Sequence, residues 1–258
     1  MSAMPTAPAN GIEIAYETQG DPSDPTILLV MGLGSQLVSW PDEFCDLLVE
    51  RGFHVVRFDN RDAGRSTWID TPELEVGAAV MGAIGGDTSS APYLLRDMAA
   101  DAVGLLDHLG LGAVHLVGVS MGGMIAQTVA IEHPERVRTL TSIMSTTGDP
   151  HVGQPDPDVL AMMLTPRPTD REAFLEQSME MSRAIGGKRY FDEQAVRARA
   201  IRELDRASNP AGVARQLLAI LASGSRAQGL AALSIPTLVI HGTEDTLVNV
   251  SGGERTAE

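Results

Sequence analysis

Apolar runs alternating with amphipathic helical stretches predict an α/β chain, a mostly parallel, doubly wound sheet interrupted by one helical insertion. Three observations carry this. Residues 26–31 (TILLVM), 53–58 (FHVVRF) and 113–118 (AVHLVG) are near-continuously apolar, as strands covered by helices on both faces must be. Segments with helical periodicity separate them. From about 148 to 225, helical segments follow one another with no strand between.

Ile12, Ile14 and Tyr16 alternate with polar residues, which suits a half-buried strand, and Asp21-Pro22 through Asp24-Pro25 make a turn. Strand 26–31 stops at Gly32-Leu33-Gly34. Pro41 suits a first helical position, and Phe44, Leu47 and Leu48 share one face of a helix over 41–51. After strand 53–58 come a loop at 59–66 and a Gly-rich stretch at 77–86. The reading continues with helix 92–109, strand 113–118, helix 121–133 and strand 137–143.

In the insertion, one helix carries Phe174, Met181 and Ile185, and a second carries Val196, Ala200 and Leu204. A third has Asn209 as its cap and Pro210 at its first position, with Val213, Leu217, Ile220 and Leu221 as its apolar stripe. Strand 236–241 (PTLVIH) then returns to the sheet. The predicted organisation is a first core part over 1–147, a helical cap insertion over 148–225, and an incomplete second core part over 226–258. No internal repeat or low-complexity linker interrupts it.

With 258 residues, 43% of them hydrophobic, the chain can bury one sizeable core. A net charge of -15 and a pI near 4.7 argue against nucleic acid as a partner, because phosphate binding needs clustered Lys and Arg. The first ten residues carry no basic residue and no long apolar run, and no stretch approaches the roughly 20 apolar residues of a membrane span. The expectation is a soluble cytoplasmic protein. Cys45 is the single cysteine and falls on the apolar face beside Phe44, Leu47 and Leu48, where packing is its expected role. Nothing in the sequence points to a metal or an organic cofactor, and oligomeric state is not legible.

Gly118-Val119-Ser120-Met121-Gly122 is a G-x-S-x-G sequence directly after a predicted strand and opening a predicted helix. With 17 serines and 26 glycines, chance alone would give the bare pattern about 0.17 times, so its position carries most of the information. A sharp strand-to-helix turn exposes the serine hydroxyl at the carboxyl edge of the sheet, and flanking glycines avoid collision with neighbouring strands. Ser120 is therefore the expected nucleophile. The same turn aims the Met121 N–H at a developing oxyanion, and the helix N-terminus adds positive potential. A second donor comes, on such an elbow, from the loop after an earlier strand, and the Leu33 N–H is the candidate.

These residues carry a family resemblance. The chain resembles the α/β-hydrolase superfamily, and within it the aclacinomycin methylesterase-like and actinobacterial lipase-like esterases. The matching stretches are residues 28–34, residues 57–62 (RFDNRD) through Gly64-Arg65-Ser66, residues 118–122, and residues 240–245 (IHGTED). The resemblance implies the α/β-hydrolase fold, serine chemistry, and a triad acid after a late strand, where Asp245 stands. Asp149, after strand 137–143, is the alternative acid. Members of the family usually have a histidine before the oxyanion loop; Met31 stands there instead. Because backbone groups make the hole, the change need not abolish it.

A serine hydroxyl needs an imidazole to take its proton, and the acid exists to orient that imidazole. The resemblance places this histidine beyond the acid, but only 13 residues follow Asp245 and none is histidine; the last strand and terminal helix are expected to be absent. His54, His108, His115 and His133 read as structural, His241 as packing at a strand end, and His151 as a weak candidate to approach the site. The expectation is a C-terminally truncated chain whose activity is impaired, whose Asp245 faces the serine's crevice with no histidine in reach, and whose strand 236–241 is an unpaired edge.

The expected reaction is hydrolysis of carboxylic esters of small to medium apolar substrates, with Met162, Met163, Met179 and Met181 of the insertion as a possible apolar wall. Alternatives are cleavage of a lactone, a thioester or a carbon–carbon bond by the same serine, or ligand binding without turnover.

Overall fold

The computed structural model describes residues 4–71, 74–165, 168 and 170–258. Residues 1–3 of the N-terminal stretch, positions 72 and 73, and positions 166, 167 and 169 of the insertion lie outside the described residues. The strands are β1 (Thr6–Ala9), β2 (Ile12–Gln19), β3 (Thr26–Val30), β4 (His54–Phe58), β5 (Val114–Val119), β6 (Val137–Ile143) and β7 (Thr237–Ile240). They form one sheet in the order β1-β2-β4-β3-β5-β6-β7, parallel from β4 to β7 and antiparallel at β1 and β2.

The helices are α1 (Asp42–Val49), α2 (Val76–Ile84), α3 (Leu95–His108), α4 (Met121–Glu132), α5 (Pro157–Leu164), α6 (Arg171–Ile185), α7 (Glu193–Arg206), α8 (Pro210–Ala222), α9 (Ala227–Leu230) and α10 (Ser251–Ala257). All of β3 is buried, and its residues divide by the two-residue period of a strand. Leu28 and Val30 join Met98, Leu105, Leu116 and Ile125 on one face, while Ile27 and Leu29 join Trp40, Cys45 and Val55 on the other. Helix-covered parallel strands require this two-sided burial. Cys45 is a packing residue, and burial pushes its thiol up.

Five elements escape the sequence reading: β1, α2, α5 and the short α9 and α10. β1 carries Pro8, which a strand tolerates here because it lies at the sheet edge. α2 forms in the Gly-rich stretch, where Val80 and Ala83 pack on Leu218 of α8, so tertiary contact overrides weak propensity. The third is α5, opened by Pro157 at its first position. By contrast, the Asn209 cap is as the sequence implies, its side chain accepting the Gly212 N–H at 3.0 Å. After β7 the chain makes the short α10 and no further strand among the described residues; β7 pairs only with β6, and its Leu238 and Ile240 are exposed.

Candidate active site

Strand order reverses between β3 and β5: the chain leaves β3 toward β4 on one side, and β5 toward β6 on the other. The carboxyl ends of two such strands frame the crevice where ligands bind in open α/β sheets. Val30 pairs with Gly118, so the residues just past each strand, the Leu33 turn and Ser120, stand at one level.

Ser120 is the single residue between β5 and α4, at φ 55° and ψ -122°. A non-glycine residue held there costs on the order of 1–3 kcal/mol and persists only where its surroundings fix it. Here all its backbone groups are engaged. Its N–H donates to the Ile143 carbonyl at 2.9 Å; its carbonyl accepts from Gly123 N–H at 2.9 Å, Met124 N–H at 3.2 Å and Ser145 Oγ at 2.8 Å. The flanking glycines are required by close packing: a Cβ on Gly118 would overlap the Gly122 carbonyl, and one on Gly122 would overlap the Val30 carbonyl. Among the described residues, no hydrogen bond engages Ser120 Oγ, and the residue is half-buried. Met121, the first residue of α4, carries an N–H that the helix itself does not use.

Across from it, Gly32 to Ser35 form a turn closed by Ser35 N–H on the Gly32 carbonyl at 3.2 Å. Gly34 has φ +67° while Leu33 is not among the positive-φ residues, which makes the turn type II and demands a glycine at Gly34. A Cβ added to Gly32 would lie 3.2 Å from Ser120 Cβ and 3.6 Å from Oγ, so the turn abuts the serine. Asn60 Nδ2 holds the Met31 carbonyl at 2.8 Å.

Beneath the turn, the loop after β4 buries three carboxylate–guanidinium pairs: Arg206 with Asp59, Arg61 with Asp101, and Arg215 with Asp62, each at 2.6 Å. On the other side, Arg226 pins the loop after β6, donating to the Thr146 carbonyl at 2.9 Å and to Gln127 Oε1 at 3.0 Å. Burial alone brings its guanidinium down to about 10, so it stays charged at neutral pH.

Asp245 follows β7 and is folded into its own turn, Oδ1 accepting from Leu247 N–H at 2.9 Å and Val248 N–H at 2.8 Å. The expectation that it has no histidine in reach is corrected: His241 Nε2 lies 3.4 Å from its Oδ2. Nε2 also lies 2.6 Å from the Val248 carbonyl, which makes it the protonated nitrogen; Nδ1 is buried against α10 with no hydrogen-bond partner among the described residues, where a Cβ on Gly253 would overlap the ring. Neither Asp245 nor His241 makes a hydrogen bond to Ser120 among the described residues. Asp149, the alternative acid, accepts the His151 N–H at 2.9 Å in a turn, and His151 is exposed.

The other histidines are remote or committed elsewhere. His54 and His115 lie near the starts of β4 and β5, bonded to Thr26 and Thr139; five residues of strand put His115 about 17 Å from Ser120. His108 packs edge-on to Tyr16 and His133 ends α4 near Glu135. Met179 is buried within the insertion, while Met162, Met163 and Met181 are half-buried.

Sequence reasoning missed Asn60, Ser145 and Gln216. Asn60 lies in a quoted stretch, but polar residues that tether backbone across long sequence separations leave no local pattern. Among the described residues, no helix is long and apolar enough to cross a membrane.

A family model described as the α/β hydrolase fold matches residues 25–258. Rhodomycin D methylesterase DnrP of Streptomyces peucetius is 34% identical over 221 residues, which are 77% of this chain and 68% of that protein. The 3-oxoadipate enol-lactonase 2 of Acinetobacter baylyi is 23% identical over 257 residues, 96% of this chain and 82% of that one. Among solved structures, the enol-lactonase from Burkholderia xenovorans LB400 superposes with a TM-score of 0.74 at 24% identity, covering 98% of this chain and 86% of that chain.

Proposed function

The chain belongs to the α/β-hydrolase family as an ester hydrolase, and on that premise we propose that it cleaves carboxylic esters of small to medium apolar molecules through an acyl-enzyme on Ser120. The observation that carries this is the left-handed backbone of Ser120 between β5 and α4, fully tied at its backbone and, among the described residues, with no hydrogen bond on its hydroxyl.

In the proposed reaction, Ser120 Oγ attacks the ester carbonyl carbon and the carbonyl π pair moves to oxygen. The Leu33 and Met121 N–H groups hold that oxyanion, supported by the N-terminal potential of α4. Collapse breaks the bond to the alcohol oxygen, which takes a proton from solvent as it leaves. Water then attacks the acyl-enzyme and releases the acid. Asp245 is the acid residue of the proposed site.

Among the described residues no imidazole is hydrogen-bonded to Ser120, so in this reading the serine proton passes to solvent and turnover is expected to be slow. Sites that lack one triad member retain about 10³–10⁴-fold catalysis over water from the oxyanion hole and binding. That same feature favours a second reading, a protein that binds the ester or a similar small molecule without turning it over.

Hydrolysis of p-nitrophenyl butyrate by the chain and by Ser120→Ala separates the two. Slow turnover that the alanine variant loses supports the esterase. Binding with a rate indifferent to Ser120 supports the second reading.

A further inference from the structure

The turn that carries Leu33 is held by the insertion as well as by the sheet. Gln216, on α8 and fully buried, accepts the Gly34 N–H on Oε1 at 2.8 Å and donates from Nε2 to the Arg61 carbonyl at 2.7 Å. Its amide orientation follows from its partners, since only the oxygen can face a donor and only the nitrogen a carbonyl. The Gly34 N–H belongs to the central peptide of the type II turn, whose orientation separates type II from type I. Other groups fix the flanks: Asn60 holds the Met31 carbonyl, and Gln36 is bonded to the Glu203 and Ala207 carbonyls at 2.8 and 2.9 Å. At the centre, Gln216 is the acceptor for the Gly34 N–H. Its neighbour Arg215 is anchored in Asp62, so α8 has a fixed depth from which Gln216 reaches the turn.

We propose that Gln216 is a positioning residue for acyl transfer, holding the Gly34 peptide so that the Leu33 N–H stays aimed at the oxyanion formed on attack by Ser120. This rests on the reading of Ser120 and Leu33 given above. Gln216 touches no reacting atom and acts through the turn. The oxyanion hole of the core thereby depends on the seating of a helix from the insertion.

The test uses the whole chain with Gln216→Leu, Gln216→Glu and Ser120→Ala, and two readouts. The first is single-turnover acylation by p-nitrophenyl acetate. The second, independent of chemistry, is hydrogen exchange at the Gly34 amide. Gln216→Leu should speed Gly34 exchange and slow the Ser120-dependent acylation about 10²-fold, the usual loss for one oxyanion donor, with the half-saturating ester concentration unchanged.

Gln216→Glu keeps the acceptor, and when protonated it can also donate to the Arg61 carbonyl. Ionisation removes that donor and sets an anionic oxygen against the Arg61 carbonyl, which displaces the side chain from the turn, so the ratio of its acylation rate to the parent's should be near one at acid pH and fall as the carboxyl ionises. Gly34 exchange unchanged in a folded Gln216→Leu overturns the clamp itself. Faster exchange with an unchanged acylation rate, or a Glu variant with no new titration, overturns the positioning role. Should Gln216→Leu fail to fold, the Glu profile decides alone. Parent acylation that Ser120→Ala leaves intact overturns the reading of the site and this inference with it.

Discussion

Replacing Arg215 by methionine should destabilise the chain by about 3–5 kcal/mol, the usual cost of leaving a buried charge without its partner. The Asp62 side chain is wholly buried and Arg215 is 7% exposed. Arg215 supplies two of the carboxylate's bonds, Nη2 to Oδ1 at 2.6 Å and Nε to Oδ2 at 2.9 Å. Among the described residues, its loss leaves Asp62 the Tyr93 hydroxyl at 2.7 Å, the Ile69 N–H at 2.9 Å and a long contact from Asn209. The bonds to Asp62 push the Arg215 guanidinium further up, so it is charged at any working pH. Methionine preserves most of the apolar stem, which confines the change to the charge and its hydrogen bonds. Urea unfolding should show a lower midpoint at unchanged slope. The double variant Arg215→Met/Asp62→Leu should cost less than the sum of its singles by about 1–3 kcal/mol. A single-variant loss below about 1 kcal/mol, or strict additivity in the cycle, would refute the claim that this pair bonds the loop after β4 to α8.

Other outcomes follow from the same structure. Gly118→Ala should cost about 1–3 kcal/mol because its Cβ meets the Gly122 backbone, whereas Gly112→Ala, where a Cβ meets nothing, should stay within about 0.5 kcal/mol; equal effects in thermal unfolding would remove the packing explanation for the elbow glycines. Burial holds His54 below the ordinary histidine range, so below about pH 6.5 the unfolded chain binds the extra proton and stability falls as pH drops. Urea midpoints at pH 7.5 and 5.5 should therefore differ less in His54→Gln than in the parent, and an identical pH dependence would contradict this. Asp245→Asn should weaken the turn at residues 245–248, since an amide oxygen accepts from Leu247 and Val248 less strongly than a carboxylate; unchanged exchange at those two amides would count against it.

The sheet was legible because its strands are short apolar runs, and a run such as 26–31 is informative without any partner in view. The elbow was legible for a similar reason: Gly118, Ser120 and Gly122 are adjacent in sequence, and the steric demand that selects them acts within one turn of chain and the strand beside it. What the sequence concealed is held at long range. Gln216 and Gly34 are 182 positions apart, and neither residue type in its local setting implies the other. The Gly-rich α2 reads as loop because its helicity comes from contact with α8. His241 reads from the sequence as a strand-end packing residue, but its approach to Asp245 depends on how the loop after β7 folds back, which the three intervening residues do not reveal.

The central claim, that Ser120 is the nucleophile, is tested most directly by intact and peptide mass spectrometry after brief exposure to p-nitrophenyl acetate at mildly acidic pH, where deacylation is slow. The reading predicts one acetyl group per chain, on the peptide that contains Ser120, and none there in Ser120→Ala. Acetylation confined to other residues, or ester turnover that persists undiminished in Ser120→Ala, would contradict it.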